Sequence, residues 1–411
     1  MNKVYATAVS FLSPLGNDLD VLAHALKENK SGVRFFHQSE IPTDFPVRYG
    51  ARLDSIAGNS LNQNRDPDFN PAALAAAWLA EDMAKKIQPG IEIDAFGFFR
   101  RDSNSFGLTV EIIKKNSPGL PSCKILDKKI PQKIISDFLK REKNISIEKT
   151  FFLGSTCTSG NVLLGTAFQR IRAGEWQRAL VGTIEIENGP FQLMGLHLLG
   201  ALSTGFTRAE EASRPFAAGR NGFVKGESAC LILLESEEAM KERGASSLGE
   251  ISGYSNTSDS WRFAEGHPEG RELIAAMRLA LADAATEPEA IDYIKAHATS
   301  TPTGDKIELQ AIKQVFGGKL AQIPISAPKS QLGHSTASCA TMEFIATLAM
   351  MKHQFISPNL NLEVIDPAIG AEGVNLVGPR SIPARIRRAL LNSGGFGGLN
   401  SCLVVNSSEP A

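Results

Sequence analysis

Apolar and polar positions along the chain predict alternating strands and helices. Val4 to Phe11 reads as a strand and Asp18 to Lys27 as a helix. Pro71 to Lys86, alanine-rich from Ala72 to Ala80, predicts a second helix. Lys149 to Leu153 is a short β-prone run that meets Gly154-Ser155-Thr156-Cys157. From Ser159 the apolar positions return at Val162, Leu163, Ala167 and Ile171 with a helical period. Cys157 therefore sits where a strand turns into a helix. Ala179 to Ile184 predicts the next strand and completes a strand-helix-strand unit of the parallel-sheet kind.

After the apolar run Leu231 to Leu234, the charged stretch Glu235 to Arg243 and the following Gly244-Ala245-Ser246-Ser247 predict a helix and a turn. They suggest a boundary between an N-terminal half, 1–240, and a C-terminal half, 241–411. The second half repeats the grammar: helix Arg271 to Ala284, strand Tyr293 to Ala296, helix Lys306 to Phe316, strand Ile323 to Ser326 and helix Ala340 to Met351. Ala389 to Asn392 and Ser401 to Asn406 are β-rich and flank Gly394-Gly395-Phe396-Gly397-Gly398, which reads as a hairpin with a glycine-rich tip.

Hydrophobic residues make up 43% of the 411 and charged residues 21%, the balance of a compact enzyme rather than a disordered chain. The 43 basic and 44 acidic side chains leave a formal net charge of -1, so no global field draws in nucleic acid or an anionic membrane. The five cysteines (Cys123, Cys157, Cys230, Cys339 and Cys402) are widely spaced and form no Cys-x-x-Cys pair. A reducing, cytoplasmic setting without a bound metal is expected. Met1 to Gly16 has a short apolar stretch, but Pro14-Leu15-Gly16 makes a poor leader cleavage site. Phe344 to Met351, the longest apolar run, is far short of a membrane span and reads as a buried helix.

A cysteine at a strand-to-helix turn gains from the positive end of the helix, which favours thiolate. Taken alone, Cys157 fits a buried structural thiol better than a nucleophile. His297 lies at the end of a predicted strand in a hydroxyl-rich loop, Ala296 to Asp305, and His334 closes Pro328-Lys329-Ser330-Gln331-Leu332-Gly333-His334 after another. Strand ends are where open α/β sheets place ligand sites. Singly, each histidine reads more readily as a satisfied or exposed residue than as a catalyst. Their joint occurrence with Cys157 changes that weighting.

Four motifs, in order, resemble those of the elongating β-ketoacyl-acyl-carrier-protein synthases. They are Thr156-Cys157-Thr158-Ser159-Gly160, His297-x-Thr299-Ser300-Thr301, Lys329-Ser330-x-x-Gly333-His334 and Gly395-Phe396-Gly397-Gly398-x-Asn400. The resemblance runs nearly end to end, through Arg214-Pro215-Phe216, Arg220-x-Gly222-Phe223-Val224, Gly226-Glu227 and Ala239-x-x-x-Arg243-Gly244-Ala245. It implies an α/β thiolase fold, two similar βαβαβαββ halves packed as a five-layer α-β-α-β-α sandwich. It further implies a homodimer, with a related-subunit heterodimer as the alternative, and acyl carrier protein as partner. No cofactor is implied beyond the carrier's phosphopantetheine.

By the same resemblance Cys157 accepts the growing acyl chain, and His297 and His334 stabilise the enolate formed when malonyl carrier protein loses carbon dioxide. The backbone N–H groups of Cys157 and Phe396 would form the second oxyanion site, Phe396 would gate the acyl tunnel, and Lys329 would pair with Glu343. Thr299 and Thr301 would hydrogen-bond the pantetheine arm. Arg65, Lys128, Lys129 and Arg208 are candidate carrier-docking cations, or else scattered solvated charges.

The chain departs from the family pattern at Ala217, Gly219 and Asn221 around Arg220, at Gly394 and Leu399 in the tip, at Ala298, and at Ala337-Ser338-Cys339-Ala340. Phe98 to Gly107, with Arg100, Arg101 and Asp102, lacks the expected glycine-rich character. These changes bear on substrate shape, so a specialised fatty-acid or polyketide-like pathway fits as well as a housekeeping one. A thiolase would carry a second cysteine near the tip, and 393–400 contain none. An initiating synthase would carry Asn where His334 stands. A non-catalytic partner subunit resembling chain-length factors usually lacks the nucleophile that this chain keeps.

Overall fold

The computed structural model describes residues 2–37, 40–41, 43–53, 55–56, 59–60, 71–100, 130–186 and 189–408. The first half contributes β1 (Val4–Leu12), α1 (Pro71–Lys86), β2 (Glu92–Arg100), α2 (Ile130–Lys143), β3 (Ser146–Phe152), α3 (Ser159–Arg172), β4 (Arg178–Glu185) and β5 (Ser228–Ser236). The second contributes β6 (Gly249–Ser258), α4 (Arg271–Asp283), β7 (Tyr293–Lys295), α5 (Pro302–Phe316), β8 (Ile325–Ser326), α6 (Cys339–His353), β9 (Arg388–Gly395) and β10 (Leu399–Ser407). Both halves thus run βαβαβαββ. Shorter helices, among them Leu19–Lys27, Pro190–Leu198 and Lys329–Leu332, are added to this frame.

The strands pair in the order β8-β7-β9-β10-β6-β1-β5-β4-β2-β3. Each half is a five-stranded sheet of the same internal order, and the two meet edge to edge where β1 pairs antiparallel with β6. In each sheet the inner strand (β2 or β7) lies parallel to both neighbours, as helical crossovers require. The run Val4–Leu12, which has the apolar character of a leader, is a strand paired on both sides.

Three apolar cores define the layers. Ala75, Ala76, Leu79, Ala80 and Met83 of α1, with Ile135 and Leu139 of α2, cover the outer face of the first sheet. Leu273, Ile274 and Met277 of α4, with Leu309 and Ile312 of α5, cover the outer face of the second. Between the sheets, Leu163, Leu164, Ala167 and Phe168 of α3 meet Phe344, Ile345, Leu348 and Met351 of α6. The result is the five-layer α-β-α-β-α order. Every residue of α6 from Cys339 to Met351 is buried, which explains why its apolar run shows no helical face.

The two central helices touch where Gly160, in the first turn of α3, faces the start of α6. A Cβ there would lie 2.6 Å from the Thr341 backbone nitrogen and 3.0 Å from Ala340 Cβ, so only glycine fits without moving main chain. Gly160→Val is expected to destabilise the fold by roughly 1–3 kcal/mol through overpacking. Urea unfolding of that variant with an unchanged midpoint would contradict this packing.

Candidate active site

The parallel strands point their C-terminal ends at one place. Cys157 follows β3 and precedes α3. His334 follows β8 and precedes α6, the equivalent turn of the other half. His297 lies two residues beyond the end of β7, and the hairpin of β9 and β10 brings the tip Phe396-Gly397-Gly398 over the same spot. All four line a cavity of about 290 Å³, together with Thr299, Thr301, Phe223, Glu308, Gly394, Gly395 and Leu399.

Local sequence explains how each side chain is held. Thr156 has φ of +45°, an uncommon conformation for a β-branched residue. Its Oγ1 donates to the Phe396 carbonyl at 3.2 Å, tying the Cys157 turn to the tip. The Cys157 carbonyl accepts from Ser393 Oγ at 3.2 Å and from Cys339 Sγ at 3.4 Å, so β9 and α6 both grip its backbone. Gly395 is needed for this approach, since a Cβ there would lie 2.3 Å from Thr156 Oγ1 and 3.4 Å from the Cys157 nitrogen.

His334 is clamped through its main chain. Its N–H donates to the Val224 carbonyl at 2.7 Å and its carbonyl accepts from Gly226 N–H at 2.9 Å. The Phe223 ring meets the imidazole edge-on, with centroids 4.9 Å apart. This is why Phe223-Val224 and Gly226 accompany the histidine motif. The Glu308 carboxylate on α5 fixes the other imidazole loop, accepting from His297 N–H and Ala298 N–H at 2.7 Å each and from Asn392 Nδ2 at 3.1 Å. The two imidazole rings stand perpendicular, 5.5 Å between centroids.

Behind them lies a buried charge cluster. The Glu343 carboxylate pairs with Lys329 Nζ through one oxygen and with Lys295 Nζ through the other, the latter at 2.6 Å. Lys295 Nζ also donates to the Asn392 carbonyl. Burial works against charge on Lys329, and the Glu343 carboxylate outweighs it, so its pKa lies above the ordinary lysine value. His297 is held well below its ordinary value of 6.5 by burial first, then by the Lys329 ammonium, His334 and Lys295. Its imidazole is therefore neutral near pH 7.

Several positions read differently in the structure. The hydroxyl-rich loop after His297 is shorter than its sequence suggests, because α5 begins at Pro302 rather than Lys306. Proline is favoured at the first helical position, and the buried Asp305 accepts from Phe216 N–H at 2.9 Å and Ser300 N–H at 3.1 Å. Arg220, flanked by Ala217 and Gly219, finds carboxylates elsewhere, Asp305 at 3.3 Å and Asp366 at 2.6 Å. Gly219 has φ of +75°, which favours glycine. Thr299 and Thr301 bond each other at 3.1 Å. Arg208 is exposed but already engaged by Glu210 and Glu211, which lessens its value as a docking cation. Arg65, Arg101, Asp102, Cys123, Lys128 and Lys129 lie outside the described residues.

Sequence reasoning missed Lys295, Glu308 and Ser393. Glu308 had a signal: Asp305, Glu308, Leu309, Ile312 and Phe316 share the buried face of α5, and two carboxylates on an apolar stripe need partners.

Known proteins fit this geometry. Residues 149–239 match the family Beta-ketoacyl synthase, N-terminal domain, and 248–363 match Beta-ketoacyl synthase, C-terminal domain. The chain is 30% identical to 3-oxoacyl-[acyl-carrier-protein] synthase 2 of Coxiella burnetii across 98% of both chains. Its fold is shared with a ketosynthase solved in complex with the acyl-carrier protein of a type II polyketide synthase (TM-score 0.84, 24% identity, 99% of both chains). It is also shared with the ishigamide ketosynthase/chain length factor (TM-score 0.81, 25% identity, 99% of both chains). The chain belongs to the β-ketoacyl synthase family, condensing enzymes of the thiolase superfamily.

A depressed histidine pKa carries a sign. Unfolded His297 binds a proton below about pH 6.5 whereas the folded residue does not, so its contribution to stability is complete above that pH and is lost as pH falls below it. Asp305, pushed up to about 7 chiefly by burial, works in the opposite direction. The comparison of wild type with His297→Phe isolates the histidine: between pH 7 and pH 5 the wild type should lose more stability in urea unfolding than the variant. Equal losses would contradict a buried, neutral imidazole.

Proposed function

We propose that this chain is a β-ketoacyl-acyl-carrier-protein synthase that joins an acyl group held on Cys157 to malonyl carrier protein and releases a 3-oxoacyl carrier protein. The observation that carries the reading is the convergence of Cys157, His297 and His334 on one cavity, with a glycine tip against the cysteine backbone.

The sulfur of Cys157, at the positive end of α3, attacks the incoming acyl thioester, and the carrier's thiolate leaves. Malonyl thioester then loses carbon dioxide. The breaking carbon–carbon bond leaves its electron pair as an enolate, whose oxygen takes hydrogen bonds from neutral His297 and from His334. The enolate carbon attacks the Cys157 thioester, and the tetrahedral oxyanion faces the N–H groups of Cys157 and Phe396. Its collapse expels the cysteine thiolate and leaves a ketone two carbons along the chain. Lys329, kept charged by Glu343, biases His297 toward the uncharged form. Thr299 and Thr301, on the cavity wall, would bind the pantetheine arm, and Phe396 would open or close the acyl path.

Acyl carrier protein is the proposed partner and no further cofactor is required. A second copy of the chain is proposed to pair at β3, the outermost strand of its sheet, where Phe152 is 48% exposed. Among the described residues no helix is long and apolar enough to cross a membrane. A reducing, cytoplasmic setting is also proposed, in keeping with widely spaced cysteines that form no Cys-x-x-Cys pair.

Two half-reactions separate the roles. Cys157→Ser should abolish acyl loading, since a hydroxyl without a dedicated base is a poor nucleophile. His297→Ala and His334→Ala should each still load the acyl group but release labelled carbon dioxide from malonyl carrier protein on the order of 10²-fold more slowly. Wild-type release by both histidine variants, or normal loading of Cys157→Ser, would overturn the assignment.

A further inference from the structure

One of the two cations buried behind the site is not a motif residue. Lys295 lies at the end of β7, two residues before His297, and is 1% exposed. Its ammonium touches two elements that have no covalent reason to stay together: the Asn392 main-chain carbonyl of β9 and the Glu343 carboxylate of α6. Each element in turn holds part of the site. One residue beyond Asn392, Ser393 holds the Cys157 carbonyl, and three residues beyond that begins the glycine tip. The other oxygen of Glu343 holds Lys329, five residues before His334. The Asn392 side chain bonds Glu308, which fixes the His297 loop.

We propose that Lys295 is a positioning residue for the condensation: its buried ammonium acts as an internal cation that locks the tip strand to the charge cluster behind the two histidines. The proposal rests on the ketosynthase reading above and adds a residue to it. The charged and titratable groups around His297 are Lys295 at the end of the preceding strand, Lys329 and His334 before α6, and Glu308 on α5; Cys157 shares the cavity, and Glu343 and Cys339 of α6 lie beside the lysines. Removing one of the two ammonium charges lets the imidazole protonate at higher pH. It also frees the Asn392 carbonyl, so the tip shifts relative to the enolate site.

The test compares wild type with Lys295→Met and Lys295→Gln in the full-length protein, reading carbon dioxide release from malonyl carrier protein against pH beside acyl loading of Cys157. Methionine keeps the stem and removes donor and charge. Glutamine keeps a donor for Asn392 or Glu343 without the charge. Lys295→Met should load acyl groups within a few fold of wild type, and its release rate should fall on the order of 10²-fold. The acid limb of its pH profile should move to higher pH. Lys295→Gln should recover part of the rate while keeping the displaced limb; if Lys295→Met does not fold, this variant decides alone. Wild-type rate and profile in the folded variants would overturn the proposal. So would equal loss of loading and release with the acid limb unmoved, which is what mere structural support predicts. Failure of the wild type itself to release carbon dioxide would instead overturn the functional reading and leave the role of Lys295 in the fold to the variants' stability.

Discussion

The Glu343 carboxylate, 2% exposed in its side chain and shared between two buried ammonium groups, is the interaction on which the site depends. A carboxylate in that place without partners would cost several kcal/mol, and removing one partner of a buried pair commonly costs about 3–5 kcal/mol. Because α6 is buried along its length, the position of Glu343 is set by packing rather than by the lysines. The lysines are set by Glu343. Burial first, and then the nearby Lys329 ammonium, His334 and the Lys295 ammonium, keep His297 neutral. A neutral imidazole still carries one N–H that can donate to a developing enolate oxygen.

The duplicated architecture supplies the second half of the account. Equivalent strand-to-helix turns in the two halves present Cys157 and His334, and their helices, α3 and α6, lie together in the central layer. The same packing therefore brings Cys157 of one half and His334 of the other to one cavity. The tip belongs to the second half but bonds the nucleophile turn of the first through Thr156 and Ser393. Cys339, at a family departure, adds a thiol contact to the Cys157 carbonyl without disturbing the turn.

Much of the fold was legible because the elements obey local rules. Pro71–Lys86 is helical over the range its composition predicts, and the β9–β10 hairpin closes on the glycine-rich tip. The strand at Ile325–Ser326 is shorter than the apolar run Ile323 to Ser326, since only its last residues reach the ladder. The edge pairing of β1 with β6, which joins the sheets, leaves no local trace, because any half-buried strand edge could have served. The motif residues of the site were legible through resemblance. Lys295 was not, because a buried charge is recognised only when its partner is known, and Glu343 lies 48 residues away; Glu308 left only the trace of a carboxylate on an apolar helix face, with His297 11 residues away.

Condensation in the cavity would leave a new carbon–carbon bond in the product. The most direct measurement is mass spectrometry of carrier protein recovered after incubating the enzyme with an acyl carrier protein and malonyl carrier protein labelled with carbon-13 at the methylene. The account predicts a 3-oxoacyl carrier protein longer by two carbons, one of them labelled, formed by wild type and absent with Cys157→Ser. Labelled acetyl carrier protein as the sole product across a panel of acyl lengths, or a lengthened product that survives loss of Cys157, would contradict it.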